Sequence, residues 1–243
     1  MNIVNAKAVI LSPDMDNPNV AKELYKKLEL AGRTCYKSED KITDESAAAF
    51  VKNCIERGHE AMIEHASMTV KFIVDRGVSH ELVRHRLASF AQESTRYCNY
   101  SKDKFGNEIT VIEPIFFKDI PEDRRREINM AVSGKPVVMK GKLTDHELAY
   151  FHWNTGCSES ENEYFGMLSY GATPQEARSV LPNSLKTEVI MTANMREWRH
   201  FFKLRAAGIT GKPHPQMLEV AVPLLNWCRE VFPELFGDIQ PME

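Results

Sequence analysis

Residues 84–97 put three arginines and a histidine into fourteen consecutive positions. A hydrophobic core does not hold that density of fixed positive charge, because an unpaired buried charge is very costly. The charges therefore face water, as on a solvated helix face, or they face an anionic ligand. The spacing favours the ligand, since Ser94 and Arg96 closely follow Arg84 and Arg86. Guanidinium groups match phosphate oxygens, and hydroxyls and loop amides complete such a binding site.

The overall charge limits the kind of ligand. The 243 residues carry a formal net charge of −3, with 43% hydrophobic and 27% charged residues, which is ordinary for a globular protein. A general nucleic-acid-binding protein would be basic, whereas here the basic residues gather at 76–96 and 196–205. Local positive charge in a mildly acidic chain favours a small anionic ligand. A nucleotide- or RNA-binding module that uses residues 84–96 stays open as a second class.

The cysteines and histidines argue against a metal site. The five cysteines are widely spaced, odd in number and form no Cys-x-x-Cys pair, so we expect neither disulfides nor zinc, and a reducing, cytoplasmic environment. His59 and His65 are too far apart for the two histidines of a His-Glu-x-x-His motif. We also expect no membrane segment, because the sequence has neither a targeting pattern nor an apolar run of about eighteen residues.

Hydrophobic periodicity predicts strands and helices mixed along the chain. Residues 67–74 alternate between apolar and polar, which predicts a half-buried strand. Residues 6–11 and 109–112 predict shorter strands. Residues 185–193 combine β-branched residues with a mixed period, so helix and strand both stay open there. We expect one α+β domain over residues 1–243, with a mixed or antiparallel sheet flanked by helices.

Helices are predicted from an apolar stripe and from their end signals. The predicted helices are 20–30 ended by Gly32, 46–57 after an Asp44 cap, one from Ser79 through Phe90, 144–151 after a Thr144 cap, 159–170, one after Thr173 that ends by Pro182, 197–206 and 215–231. The helix from Ser79 matters most, because it would carry Arg84, His85 and Arg86 near its C-terminal end.

Two side chains near the arginines invite a nucleophile hypothesis. Ser94 lacks the Gly-x-Ser-x-Gly elbow of a serine nucleophile, and the positive charge before it suits a ligand-binding site better. Cys98 lies close to Arg96, so a thiolate nucleophile is a second hypothesis. The residues alone favour ligand binding without excluding either nucleophile.

Arg84-His85-Arg86, followed by seven residues and Ser94, resembles the signature of the flavin-dependent thymidylate synthases. Three further stretches resemble the same family in the same order, so that the resemblance runs from Gly58 to Gln216. These stretches are Gly58-His59-Glu60, Ala177-Arg178-Ser179-Val180-Leu181-Pro182, and Asn194-Met195-Arg196 through Leu204-Arg205. The resemblance implies the fold of that family as well as its activity.

The resemblance implies one site for FAD and one for a nucleotide. For FAD, the matching positions are His59, Arg84, His85, Arg86, Gln92, Asn194, Arg196 and His200. For the nucleotide, the matching positions are Glu81, Arg84, Gln92, Glu93, Ser94, Arg96, Arg178 and Arg205. On this resemblance Ser94 binds the nucleotide and is no covalent nucleophile, while Cys98 matches no functional position.

Three positions depart from the usual pattern of the resembling family. Ala61 replaces a small hydroxyl residue that touches the flavin, Glu81 stands where glutamine is frequent, and Gln92 stands where glutamate is frequent. The arginine that matches Arg205 faces the pyrimidine in that family. A guanidinium there stabilises negative charge that develops on the ring, so the resemblance implies that Arg205 is the catalytic residue.

The resemblance also implies the reaction and the partners. An FAD-dependent methyltransferase would convert dUMP to dTMP, with methylenetetrahydrofolate as the carbon donor and NADPH as the reductant. The cofactor carries the redox step, and the protein contributes placement and electrostatics. The resemblance further implies a homotetramer with active sites shared between subunits. We expect no nucleic-acid partner and no membrane partner.

Overall fold

The computed structural model describes residues 1–139 and 141–242, and it confirms the α+β class. The chain divides into two compact units. The first takes in Met1–Ala6, Ile73–His80 and Gln92–Glu188, and the second takes in Lys7–Phe72, Glu81–Ala91 and the chain from Val189 onward. A single domain over residues 1–243 stays a prediction.

The long strands lie at the centre of a four-stranded sheet of order β2-β3-β6-β4, and a second sheet pairs β1 with β5 in parallel. The strands are β1 Asn2–Val4, β2 Lys7–Ser12, β3 Ser67–Asp75, β4 Ala88–Gln92, β5 Thr110–Ile112 and β6 Lys186–Asn194. The alternating pattern of β3 is confirmed, because Met68, Val70, Phe72 and Val74 are all fully buried. The open segment at 185–193 is a strand, since every second residue of β6 is buried.

The helices mostly follow the predicted stripes. They are α1 Val20–Cys35, α2 Ser46–Glu56, α3 Arg76–Leu82, α4 Glu122–Val132, α5 Asp145–Ser169, α6 Pro174–Ala177, α7 Met195–Arg205, α8 Pro215–Val231 and α9 Pro233–Phe236. Both predicted threonine caps are confirmed as capping boxes, Thr144 with Glu147 and Thr173 with Glu176. Among the described helices, none has the length and apolar character that crossing a bilayer requires.

The predicted helix from Ser79 through Phe90 is confirmed only as far as Leu82, and its continuation to Phe90 is wrong. The Asp75 carboxylate accepts from the backbone N–H of Val78 at 2.8 Å, so α3 starts earlier, and it ends at Leu82. The backbone N–H of His85 then bonds the carbonyl oxygen of Leu82 in a tight turn. The next residues form β4, because strand pairing in the sheet overrides their helical spacing. The Arg-His-Arg triplet therefore lies in the connection between α3 and β4.

Three other helix ends differ from prediction. Helix α1 continues through Gly32 to Cys35, and the missing side chain of this glycine leaves room for the ring of Phe50. Asp44 does not cap α2, since its carboxylate pairs with Lys26 at 3.0 Å. The two helices predicted at 144–151 and 159–170 are the single helix α5.

The core of the second unit lies where α7 packs against β3. Trp198 and Phe201 are fully buried, and their rings lie 6.3 and 6.0 Å from the ring of Phe72. The indole N–H of Trp198 donates to the carbonyl oxygen of Met68 at 2.9 Å. This packing fixes α7, so the polar residues on its remaining faces have defined positions.

The core of the first unit joins two segments that carry predicted site residues. Tyr100 and Ala177 belong to one buried cluster with Tyr164 of α5. The backbone N–H of Tyr100 donates to the hydroxyl of Tyr164 at 3.4 Å. The loop after β4 and the short helix α6 are thereby held on the same support.

Candidate active site

In the first unit, residues 94–98 form a tight turn directly after β4. The backbone carbonyl of Ser94 accepts from the N–H groups of Tyr97 and Cys98, at 3.1 and 2.9 Å. The Ser94 hydroxyl accepts from the N–H of Arg96 at 3.3 Å. Serine favours such local turns because its hydroxyl bonds nearby backbone groups. The turn leaves the Arg96 side chain exposed.

Two predicted arginines that are distant in sequence meet at this turn. Arg96 donates from Nε to the amide oxygen of Gln175 at 2.9 Å, and Arg178 donates to the hydroxyl of Thr95 at 3.3 Å. Both guanidinium groups are exposed. Within residues 1–139 and 141–242, their hydrogen-bond partners are neutral. We call Ser94, Arg96 and Arg178 the arginine patch; among the described residues, no carboxylate pairs with its two charges.

Gln92 and Glu93 have different surroundings beside this patch. The Gln92 amide donates to the hydroxyls of Ser79 at 3.1 Å and Thr187 at 3.2 Å, so its carbonyl oxygen is left as an acceptor. The Glu93 carboxylate pairs with Lys186 at 3.1 Å and accepts from the Tyr100 hydroxyl. The structure thus holds Glu93 in an internal ion pair.

In the second unit, the start of α7 organises a cavity of about 600 Å³. Asn194 caps the helix, because its side-chain oxygen accepts from the backbone N–H of Glu197 at 2.9 Å. Arg196 pairs with Glu64 at 2.7 Å, and His200 is exposed one turn later. The predicted flavin residues Asn194, Arg196 and His200 all line this cavity.

His85 is buried, and its two ring nitrogens face different partners. Nδ1 lies 3.3 Å from a carboxylate oxygen of Glu197, while Nε2 accepts from Nε–H of Arg205 at 3.2 Å. Burial, Arg205 and His200 lower the pKa of His85 to about 4. Burial raises the pKa of the Glu197 carboxyl. The imidazole is therefore neutral near neutral pH, with its proton on Nδ1.

Arg205 is held from its other side by Glu81. Nη1 donates to the Glu81 carboxylate at 2.7 Å, and Nη2 donates to the Glu81 backbone carbonyl at 3.4 Å. The predicted catalytic arginine thus has an ion-pair partner at a position where the resembling family frequently has neutral glutamine.

The two arginines of the Arg-His-Arg triplet differ from His85, because they are not buried. Arg84 and Arg86 are exposed, and in the described part of the chain neither side chain has a hydrogen bond or an ion pair. Together with His85, His200 and Arg205 they line a second cavity of about 400 Å³.

Two further histidine observations concern sequence predictions. His59 is exposed at the start of the 3-10 helix Glu60–His65 and lines neither of the two cavities. His85, Glu197 and His200 place possible metal-donor atoms within 4.8 Å of one another. A cation there would meet the positive charge of Arg205 next to His85, so the absence of a resident metal stays our prediction.

Sequence reasoning missed several residues that shape these sites. Glu197 lies in the first turn of a helix, where an acidic residue has an ordinary stabilising effect on the helix dipole. Thr187 lies in the segment whose secondary structure stayed open, and Gln175 follows a helix cap. Because all three act through tertiary contacts, their spacing carried no signal.

The profile of the family described as thymidylate synthase complementing protein matches residues 20–234. A flavin-dependent thymidylate synthase from Corynebacterium aurimucosum is 34% identical over 221 residues, which cover 90% of this chain and 81% of the relative. One of the same name from Geobacter sulfurreducens is 29% identical over 219 residues, covering 87% and 80%.

A solved structure is similar over nearly the whole chain. It is the crystal structure of a UMP/dUMP methylase PolB from Streptomyces cacaoi bound with 5-Br dUMP, with a TM-score of 0.72 and 20% identity. The match covers 98% of this chain and 96% of that one, and at this identity it shows the fold. With the profile match over most of the chain, it follows that this chain belongs to the family of the flavin-dependent thymidylate synthases.

Proposed function

We propose that this chain is an FAD-dependent methyltransferase that converts dUMP to dTMP, with methylenetetrahydrofolate as the carbon donor and NADPH as the reductant. Family membership supports this, because the relatives are named flavin-dependent thymidylate synthase and the similar solved structure is described as a UMP/dUMP methylase. FAD, which the family implies, carries hydride from the reductant to the substrate when bound. The RNA-binding alternative is not favoured, given the family and the net charge of −3.

The observation that carries the proposal is the arginine patch of Ser94, Arg96 and Arg178. Its two guanidinium groups are exposed, and among the described residues they donate only to a neutral amide and a neutral hydroxyl. An anion can therefore approach two full positive charges without displacing a carboxylate. We assign the phosphate of dUMP to this patch, since charge-assisted hydrogen bonds from arginine suit a phosphate dianion. The side-chain oxygen of Gln92 suits a hydroxyl or ring N–H of the nucleotide, and Glu93 stays a proposed neighbour.

The residues around α7 and the triplet fit FAD. Arg84 and Arg86 are exposed and have no ion-pair partner among the residues that the structure describes, so their positive charge suits the anionic pyrophosphate of FAD. The cavities of about 600 and about 400 Å³ are both lined by His200, so it borders both openings. We propose that Asn194, Arg196 and the neutral His85 contact the flavin, and that His59 approaches it.

Arg205 has the features of an electrostatic catalyst. A guanidinium that is already oriented by protein partners loses little reorganisation energy when charge develops on a bound ring. Arg205 has three such acceptors, one from His85 and two from Glu81. We propose that it faces the pyrimidine and stabilises negative charge there.

We also propose a homotetramer with shared active sites and a cytoplasmic location, both from the family resemblance. All five cysteines are free thiols, which a reducing compartment maintains. Chemical cross-linking combined with light scattering would measure the number of subunits directly.

The phosphate assignment is tested by calorimetric titration of dUMP into three variants. Arg96→Gln and Arg178→Gln should each raise the dissociation constant about 10- to 100-fold, because each loses a charge-assisted contact. Arg126→Gln is the matched control, since Arg126 is an exposed arginine paired with Glu122 on α4. The assignment would be contradicted if Arg126→Gln weakened dUMP binding as strongly as the two patch variants. It would also be contradicted if both patch variants bound dUMP as tightly as the wild type.

A further inference from the structure

We propose that Glu197 is a positioning residue for Arg205 and acts through the imidazole of His85. This inference rests on the proposed function, because it concerns the arginine assigned to the pyrimidine. The three side chains form one line of contacts, from the Glu197 carboxylate through both ring nitrogens of His85 to Arg205 Nε.

The direction of the hydrogen bonds follows from what an arginine can do. A guanidinium only donates, so the ring nitrogen that faces Arg205 must carry a lone pair. The other ring nitrogen, Nδ1, then carries the proton in the neutral ring and donates it to Glu197. Since the tautomer of a histidine is set by the bond that its other nitrogen makes, Glu197 selects the form of His85 that can accept from Arg205.

Glu197 is itself well placed for this task. Its side chain is nearly buried, with about 6% exposed, and its backbone N–H is fixed by the cap of Asn194. The edge of the His85 ring packs on Phe201, with centroids 5.0 Å apart, so the ring plane is restrained as well. A restrained carboxylate and a restrained ring together define where Nε2 points.

The tautomer of His85 in turn affects the orientation of the Arg205 guanidinium. The long arginine side chain loses considerable rotamer entropy when it is fixed, and here its Nε is held by His85 while both terminal nitrogens are held by Glu81. Without Glu197, the proton of His85 can move to Nε2, where it would oppose the N–H of Arg205. Arg205 would then keep only its Glu81 contacts and rotate about them.

A purely structural role of Glu197, as a negative charge at the N-terminus of α7, predicts a different result. It would affect stability in every background and leave the His85 tautomer unchanged. Two measurements therefore distinguish the roles. One is kcat in a double-mutant cycle, and the other is the tautomer of the His85 ring determined by NMR.

The experiment measures dTMP formation by FAD-loaded enzyme carrying Glu197→Ala, Glu197→Gln, Arg205→Ala or the pair Glu197→Ala with Arg205→Ala. We expect Glu197→Ala to lower kcat about 10- to 100-fold, as loss of a charge-assisted hydrogen bond does, with KM for dUMP changed less than about threefold. Glu197→Gln should lose less, because its amide oxygen can still accept from Nδ1. In the Arg205→Ala background, adding Glu197→Ala should lower kcat by a further factor of less than about three. If Glu197→Ala lowered kcat by the same factor in the wild-type and Arg205→Ala backgrounds, the proposal would be overturned.

Nitrogen NMR of ¹⁵N-histidine-labelled enzyme reads the tautomer independently of activity. The wild type and Glu197→Gln should show His85 with the proton mainly on Nδ1, and Glu197→Ala should shift the ring toward Nε2–H. The opposite tautomer in the wild type would overturn the proposal even when a variant does not fold. Absence of dTMP from the wild type, with the expected tautomer present, would count against the proposed reaction and not against the His85–Glu197 contact. Glu122→Gln, on the exposed face of α4, serves as the control carboxylate.

Discussion

Protonation of His85 should destabilise the fold in mildly acidic solution. The pKa of this histidine falls from 6.5 to about 4 on folding, because burial and the neighbouring charges of Arg205 and His200 disfavour the cation. The folded state therefore prefers the neutral ring. This contribution of His85 to the unfolding free energy is fully present above the pKa of the unfolded state. It is lost as the pH falls toward the pKa of the folded state.

The size of the effect follows from the two pKa values. The full lowering of this pKa corresponds to about 3 kcal/mol of unfolding free energy. Between about pH 7 and about pH 5, proton linkage removes about 2 kcal/mol of it. Glu197 works in the opposite direction, because burial raises the pKa of its carboxyl and its protonation on acidification favours the folded state.

The measurement removes that opposing effect by working in a Glu197→Gln background. Urea unfolding is followed at about pH 7 and about pH 5, with His85 and with His85→Gln, by tryptophan fluorescence and far-ultraviolet circular dichroism together. The stability advantage of His85 over glutamine should fall by about 2 kcal/mol on acidification. A fall below roughly 0.5 kcal/mol would refute the assignment of a buried neutral histidine.

Three further predictions test packing, binding and assembly. Gly32→Ala should destabilise the fold by about 1–3 kcal/mol in urea unfolding, because its Cβ would overlap a phenylalanine ring of α2. Gly156→Ala is the control, since beyond the neighbouring backbone of its own helix an added Cβ meets no described atom within 4 Å; this change should be neutral or stabilising by up to about 1 kcal/mol. Ser94→Ala should raise the dUMP dissociation constant about 2- to 10-fold and Arg96→Ala about 10- to 100-fold in calorimetry, and equal effects would reject the charge argument. Mixing Arg96→Ala and Arg178→Ala subunits should not restore dUMP binding of wild-type affinity, because both arginines lie in one patch of one chain; recovery of that affinity after verified subunit exchange would contradict this placement.

Local signals in the sequence predicted the elements that they determine. The alternating residues of β3 are buried as expected, and Thr144 and Thr173 begin helices with reciprocal capping bonds. The strand pattern and the helix caps depend on residues within a few positions of one another, so both can be predicted from the local sequence.

The parts that could not be predicted depend on distant partners. The helical spacing after Ser79 did not reveal that residues 88–92 pair in a sheet. Gly32 fits a helix end by sequence, yet a ring from α2 explains why it is glycine. The Glu81 carboxylate matched a nucleotide position, but its bond to Arg205 joins residues far apart along the chain. The assignment of the site residues to FAD and dUMP stays a prediction.

The central claim is tested most directly by product analysis of the reaction itself. The purified protein is incubated with dUMP, methylenetetrahydrofolate labelled at its methylene carbon, NADPH and FAD, and each component is omitted in turn. We predict dTMP that carries the label in its methyl group in the complete mixture, and none when dUMP, folate or NADPH is omitted or when FAD has been stripped. Flavin-loaded protein that binds dUMP but forms no labelled dTMP in the complete mixture would contradict the account.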